Sequence, residues 1–97
     1  MRTHGKTDGN HALIVLAARQ LGAMVKSLAD IGCGCPDLLV IHRGRVHLWE
    51  VKDGTKPKSA RALTPAEQTW HAEAEMHGYR VEVVDSLTDV ARILGGK

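Results

Sequence analysis

The sequence is poor in aromatic residues and in cysteine, and each shortage limits what the protein can be. It contains no phenylalanine, and its aromatic residues are Trp49, Trp70 and Tyr79. A hydrophobic core must therefore be built mainly from aliphatic side chains. Cys33 and Cys35 are separated by one glycine, so a disulfide between them would close a very short, strained loop. Their spacing matches no standard zinc pattern, and a zinc-dependent module would also need a histidine ligand.

Long apolar runs and a strong excess of one charge are also missing. No run reaches transmembrane length, and the polar start MRTHGKTDGNHA has no signal-peptide core. We therefore expect an intracellular, cytoplasmic protein that is neither secreted nor membrane-spanning. The net charge of +2 permits nucleic acid as a partner without requiring it. The length of 97 residues predicts a single domain over residues 1–97.

Capping and turn signals divide the chain into alternating helices and strands. Thr64, Pro65 and Glu67 form a capping-box pattern with proline at the first helical position. Ser86 is typical of an N-cap for the last helix, and the first helix can be capped by Thr7, Asp8 or Asn10. The first predicted helix lies within residues 7–22, the other two cover 65–76 and 87–94, and the predicted strands cover 23–28, 37–42, 45–52 and 79–84. This order, α-β-β-β-α-β-α, favours a small α/β layer fold, with residues 53–62 as a polar loop.

The central hairpin places three charged residues together. If Arg43-Gly44 is a two-residue turn, the numbers of paired residues add up to 87, and Asp37 lies directly opposite Glu50. Opposed residues on a sheet have Cβ atoms about 4.5–5.5 Å apart. Lys52 shares the face of Glu50 because side chains alternate along a strand, whereas Trp49 points to the opposite face and is expected in the core.

A divalent cation would relieve the repulsion between the two opposed carboxylates. Mg²⁺ and Mn²⁺ favour carboxylate, carbonyl and water ligands, so Asp37, Glu50 and the carbonyl of Val51 are the predicted metal ligands. Lys52 can position a water molecule or balance charge that develops on a phosphate. Asp37, Glu50 and Lys52 are therefore the predicted catalytic residues. The alternative is a solvated ion pair without a function, because Glu-X-Lys by itself is a common pattern.

Several motifs carry a resemblance to a known family. They are GCPDLLV at 34–40, Gly44, WEVK at 49–52, LTP at 63–65, Trp70 and Gly78. Together they resemble the VRR-NUC domain of the PD-(D/E)XK nuclease superfamily, which is related to archaeal Holliday junction resolvases. The resemblance implies a restriction-endonuclease-like core, a small central sheet flanked by helices, and a metal-dependent site for phosphodiester cleavage. It also implies a place in DNA repair or recombination.

The sequence departs from the family pattern at two positions. The family often has a glutamate early in its first helix, where this chain has Leu13 with Asp8 and Asn10 nearby. The family also tends to have a glutamine two residues after the Thr-Pro proline, where this chain has Glu67 followed by Gln68. The sequence leaves open which of Glu67 and Gln68 faces the site.

The expected function is that of a Mg²⁺- or Mn²⁺-dependent endodeoxyribonuclease that hydrolyses phosphodiester bonds, with branched DNA such as a Holliday junction as the expected substrate. The alternative is a non-catalytic nucleic-acid-binding module on the same fold. Lys56, Lys58 and Arg61 lie in the loop after the site and are predicted to contact DNA phosphates.

Two expectations concern the helices. The first helix, expected to be substantially buried, has more apolar residues than one sheet face needs, which predicts a homodimer. His71 and His77, on the second predicted helix, are expected to be partly exposed.

Overall fold

A computed structural model describes residues 10–95 of the chain. Two of the predicted cap residues of the first helix, Thr7 and Asp8, lie outside this part. Four helices and four strands follow one another in the order α1 His11–Gln20, β1 Met24–Ser27, β2 Leu38–His42, β3 Arg45–Val51, α2 Lys58–Arg61, α3 Pro65–Met76, β4 Glu82–Val84 and α4 Leu87–Leu94. The predicted order is therefore confirmed, with one addition: a single helical turn, α2, forms inside the segment predicted as a polar loop.

The strands form one sheet in the order β1-β2-β3-β4. The first three strands are antiparallel, and β4 runs parallel to β3, with Val51 beside Val84. The predicted hairpin register is confirmed, because Leu38 pairs with Trp49 and His42 with Arg45. Arg43 and Gly44 both have positive φ angles, 53° and 78°. Positive φ at both central residues is the geometry of a type I′ turn, whose twist matches that of the strands it joins.

The hydrophobic core lies between one face of the sheet and two helices, α1 and α4. Trp49 is fully buried there, as predicted, and its Nε1–H donates to Glu82 Oε1 at 2.8 Å. The core is otherwise aliphatic, with Ile14 and Ala18 from α1, Val90 and Leu94 from α4, and Leu38, Val40, Val51 and Val84 from the strands. Because strand side chains alternate, burying Trp49 and Val51 on this face turns Glu50 and Lys52 to the other face.

The helix α3 covers the other face beside these charged residues. The Thr64 side chain accepts a hydrogen bond from the Glu67 N–H, and the Glu67 carboxylate accepts one from the Thr64 N–H. The predicted capping box is thus confirmed, and Ser86 likewise caps α4 by accepting from the Asp89 N–H. None of the residues of α3 is fully buried, so this helix lies on the sheet without adding to the core.

The helix α1 is less buried than its composition suggested. Only Ile14 and Ala18 are buried, whereas Leu13, Leu16 and Leu21 are between 43% and 56% exposed. The expectation of a substantially buried helix was wrong, because α1 rests on the sheet along one stripe and nothing within residues 10–95 forms a second layer over its other side. Within the part of the chain that the structure describes, no helix combines the length and the apolar character needed to cross a membrane.

Candidate active site

Asp37 lies at the entrance to β2 and is held by the end of β3. Its N–H donates to the Trp49 carbonyl at 2.9 Å, so Asp37 and Leu38 both lie opposite Trp49 and the backbone of Asp37 is one residue out of step with a direct pairing to Glu50. Its side chain turns back across the hairpin, where Oδ2 accepts a hydrogen bond from the Val51 N–H at 2.8 Å. The backbone of β3 nevertheless orients this carboxylate beside Glu50.

Glu50 is the most deeply buried acid at the site, with 2% of the residue exposed. Burial, followed by the neighbouring carboxyl groups of Asp37 and Glu67, raises its pKa from an ordinary value of 4.5 to about 9. Burial also raises the pKa of the nearby Cys35 thiol, and the negative charges of Glu50 and Asp37 raise it further. Without a cation, this part of the molecule thus holds more carboxyl groups than it can keep ionised at neutral pH.

Lys52 follows β3 directly and faces the same side as Glu50. Its backbone N–H donates to the Val84 carbonyl at 3.0 Å, and its Nζ lies 2.9 Å from Glu67 Oε1. The structure therefore answers which residue of α3 faces the site. Glu67 does, whereas Gln68 is exposed and donates from its Nε2 to the Leu63 carbonyl. The Thr64 N–H and Lys52 lower the pKa of Glu67, although burial alone would raise it, so Glu67 stays ionised.

His71 is a site residue that the sequence did not reveal. Its Nε2 lies 3.4 Å from Glu50 Oε1, and only 15% of its side chain is exposed. Burial lowers its pKa below the ordinary value of 6.5. The sequence spacing could have indicated His71. It lies four residues after Glu67, which was already a candidate for the site, and residues four apart on a helix share one face.

The donor set fits a hard divalent cation held partly by water. Within residues 10–95, no group of three or more His, Cys, Asp or Glu side chains is arranged to hold a metal ion by itself. Asp37 and Glu50 nevertheless converge, and Mg²⁺ is commonly bound through one or two carboxylates while it keeps several waters. A cation between them would also compensate the buried, mutually repelling carboxyl groups that raise the pKa of Glu50. The residues present therefore fit Mg²⁺ or Mn²⁺ better than they fit a closed zinc site.

The basic residues after Lys52 are not equivalent. Lys56 and Lys58 are exposed. Arg61 instead donates from Nε to the Lys56 carbonyl at 2.8 Å and from Nη1 to Asp85 at 3.2 Å, so part of its charge is already balanced. The two lysines are therefore the better placed for contact with phosphates.

A cleft of about 440 Å³ opens at the carboxyl ends of β3 and β4, and none of Asp37, Glu50 and Lys52 lines it. Leu13, at the position matching the family's glutamate, lines this cleft and is 56% exposed. Asn10 lies at the start of α1 but makes no side-chain cap; its Nδ2 donates to the Asp85 carbonyl instead. Among the described residues of α1, no carboxylate therefore takes the place of that glutamate.

Comparison with known proteins gave one informative match. No family model matches the sequence, and no curated protein matches it. A solved structure described as a VRR_NUC domain matches with 29% sequence identity and a TM-score of 0.62, and the match covers 84% of this chain and 90% of that one. This agreement confirms the restriction-endonuclease-like fold predicted from the motifs. Together with the arrangement of residues 34–40, 49–52 and 63–65 around one site, it supports the resemblance to a VRR-NUC domain, a nuclease-type domain.

Proposed function

We propose that this domain is a Mg²⁺- or Mn²⁺-dependent endonuclease that hydrolyses phosphodiester bonds in DNA. The observation that carries the proposal is the pairing of Asp37 with the buried Glu50, next to Lys52, at the end of the central hairpin. Burying an acid beside a second acid disfavours its charged form, and a protein that only binds DNA gains nothing from two carboxylates near a phosphate. A cation site accounts for both.

Each residue has a distinct part in this reaction. Asp37 and Glu50 would hold the cation, with the Val51 carbonyl as the further predicted ligand. A bound Mg²⁺ activates water and neutralises charge on the phosphate group. Lys52 lies on the same face of the sheet as Glu50, with its ammonium 2.9 Å from Glu67 Oε1, and there it can orient the attacking water or bind a phosphate oxygen as negative charge develops. Lys56 and Lys58 would contact neighbouring phosphates of the same strand, which positions DNA without reading its sequence.

Branched DNA and a two-fold dimer are the finer parts of the proposal. A domain of 97 residues has little surface for reading base sequence, so recognition of DNA shape suits it better. Cutting a junction on two strands needs two active sites, and a symmetric pair of subunits is the commonest way to supply them. The exposed leucines of α1 and its C-cap, Leu13, Leu16 and Leu21, offer the apolar surface for such a pair.

Cleavage of labelled linear, flap and four-way-junction DNA in Mg²⁺, Mn²⁺ or EDTA tests the proposal. We expect cleavage only with a divalent cation, and none from Asp37→Asn or Glu50→Gln, while both variants keep the fold by circular dichroism. Activity that survives in EDTA or in both variants would reject the site. A protein that binds DNA but cuts none of these substrates with either metal would favour the alternative of a non-catalytic binding module.

A further inference from the structure

One face of α3 contacts two of the proposed catalytic residues at the same time. Glu67 Oε1 lies 2.9 Å from Lys52 Nζ, and His71 Nε2 lies 3.4 Å from Glu50 Oε1. The spacings of the two elements match. Four residues of a helix rise about 6 Å, and two residues of a strand advance about 6.7 Å. The helix can therefore meet both strand residues with consecutive turns.

We propose that Glu67 and His71 are positioning residues, Glu67 for the ammonium of Lys52 and His71 for the carboxyl group of Glu50. This inference rests on the proposed nuclease site. Glu67 stands where the family tends to have a glutamine, and His71 is not among the residues that carry the resemblance. Neither residue is proposed to touch the substrate.

The carboxylate of Glu67 is itself fixed in place. The oxygen that contacts Lys52 also accepts the Thr64 N–H at 2.9 Å, and the Thr64 hydroxyl accepts the Glu67 N–H in return. The first turn of α3 thus holds one carboxylate oxygen at a set position, and that oxygen limits where the lysine ammonium can lie. A glutamine there would keep an oxygen for Lys52 but would lose the charge that attracts it.

His71 meets Glu50 in a part of the molecule that excludes water. The side chain of Glu50 is 2% exposed and that of His71 is 15% exposed, so the contact is poorly screened by solvent. It uses one oxygen of the Glu50 carboxyl group, as the contact with the Val51 N–H uses one oxygen of Asp37. Carboxylates that bind metals are commonly oriented by such hydrogen bonds, and losing the partner typically weakens metal binding about 10–100-fold.

A purely structural role explains these contacts less well. No residue of α3 is fully buried, so the helix contributes little to the core. Its backbone also approaches Gly34 closely, where an added Cβ would collide with the Ala66 carbonyl. The helix therefore has a backbone contact with the loop that leads to Asp37, and this contact does not involve the side chains at 67 and 71.

Calorimetric titration of Mn²⁺ into the protein without DNA tests the role of His71. We expect His71→Ala to weaken Mn²⁺ binding about tenfold or more and His71→Gln, which can still donate to Glu50, to recover part of the loss. His77→Ala is the matched control, because this histidine is exposed at the end of the same helix. Equal Mn²⁺ affinity in the wild type and His71→Ala would overturn the inference for His71. Absence of Mn²⁺ binding to the wild type would overturn the proposed function as well.

Lys52 is proposed to act on a phosphate of bound DNA, so the role of Glu67 is tested by steady-state kinetics of DNA cleavage. We expect Glu67→Ala to lower kcat about tenfold or more with little change in KM, and Glu67→Gln to lower it less. Gln68→Ala is the control, since it removes a hydrogen bond from the same helical turn without facing Lys52. An equal loss of kcat in Gln68→Ala and Glu67→Ala would show a structural effect and overturn the inference. Unchanged kcat in Glu67→Ala would do so too.

Discussion

Replacing Glu50 by glutamine should stabilise the metal-free protein although it removes a proposed catalytic residue. The pKa of Glu50 in the folded protein is about 9, against an ordinary value of 4.5. Between these values the folded protein keeps a proton that the unfolded chain releases. The stability linked to this group is therefore complete below about pH 4.5 and is lost as the pH rises towards 9.

The size of the effect follows from the distance between the working pH and the ordinary pKa. Ionisation of Glu50 stabilises the unfolded chain by about 1.36 kcal/mol for each pH unit above 4.5. At pH 7 this stabilisation amounts to about 3 kcal/mol. Glutamine does not ionise in this pH range, so Glu50→Gln should raise the free energy of unfolding by up to about 3 kcal/mol at pH 7. At pH 4 the two proteins should differ little from this cause.

Urea denaturation in EDTA between pH 4 and 8.5 measures this difference. The control is Glu73→Gln, which removes an exposed carboxylate from α3 and should leave the pH dependence unchanged. Adding Mg²⁺ should reverse the order, because only the wild type can gain stability from binding the cation through Glu50. If the free energies of the wild type and Glu50→Gln run parallel over the whole pH range, Glu50 does not hold its proton as described and the reasoning is refuted.

Three further predictions address the surroundings of the site. Gly34 has a φ of +81° and touches the α3 backbone, so Gly34→Ala should cost about 1–3 kcal/mol in urea denaturation, and an unchanged midpoint would contradict the close approach. Replacing Lys56, Lys58 and Arg61 together by alanine should weaken binding to all DNA sequences alike and flatten the salt dependence of binding, mostly through the two exposed lysines. A salt slope equal to that of the wild type would show that the loop has no role in binding. Sedimentation at micromolar concentration should give a dimer mass for the wild type and a monomer mass for Leu16→Glu, whereas a wild-type monomer that cuts both strands of a junction would reject the dimer.

The sequence by itself determined the local structure and the hairpin that carries the site. The turn at Arg43-Gly44 fixes which residues pair, and because side chains alternate along strands, that register places Glu50 and Lys52 on one face and brings Asp37 to the same end of the hairpin. The capping box at Thr64 likewise depends on residues three apart, so it could be predicted without any tertiary contact. Interactions of this kind are set by short stretches of chain.

Only the tertiary structure decided what lies across from the hairpin. Whether Glu67 or Gln68 faces Lys52, and whether His71 reaches Glu50, depends on how α3 is rotated and placed over the sheet. That placement brings Gly34 close to the Ala66 backbone, a contact between distant segments that no sequence pattern displays. The exposure of α1 was not predicted for a related reason. The composition of an apolar helix does not show whether another segment of the chain covers its outer face. The charges of the site were therefore predictable from the sequence, and the residues that orient them were not, since orientation comes from packing between segments distant in the chain.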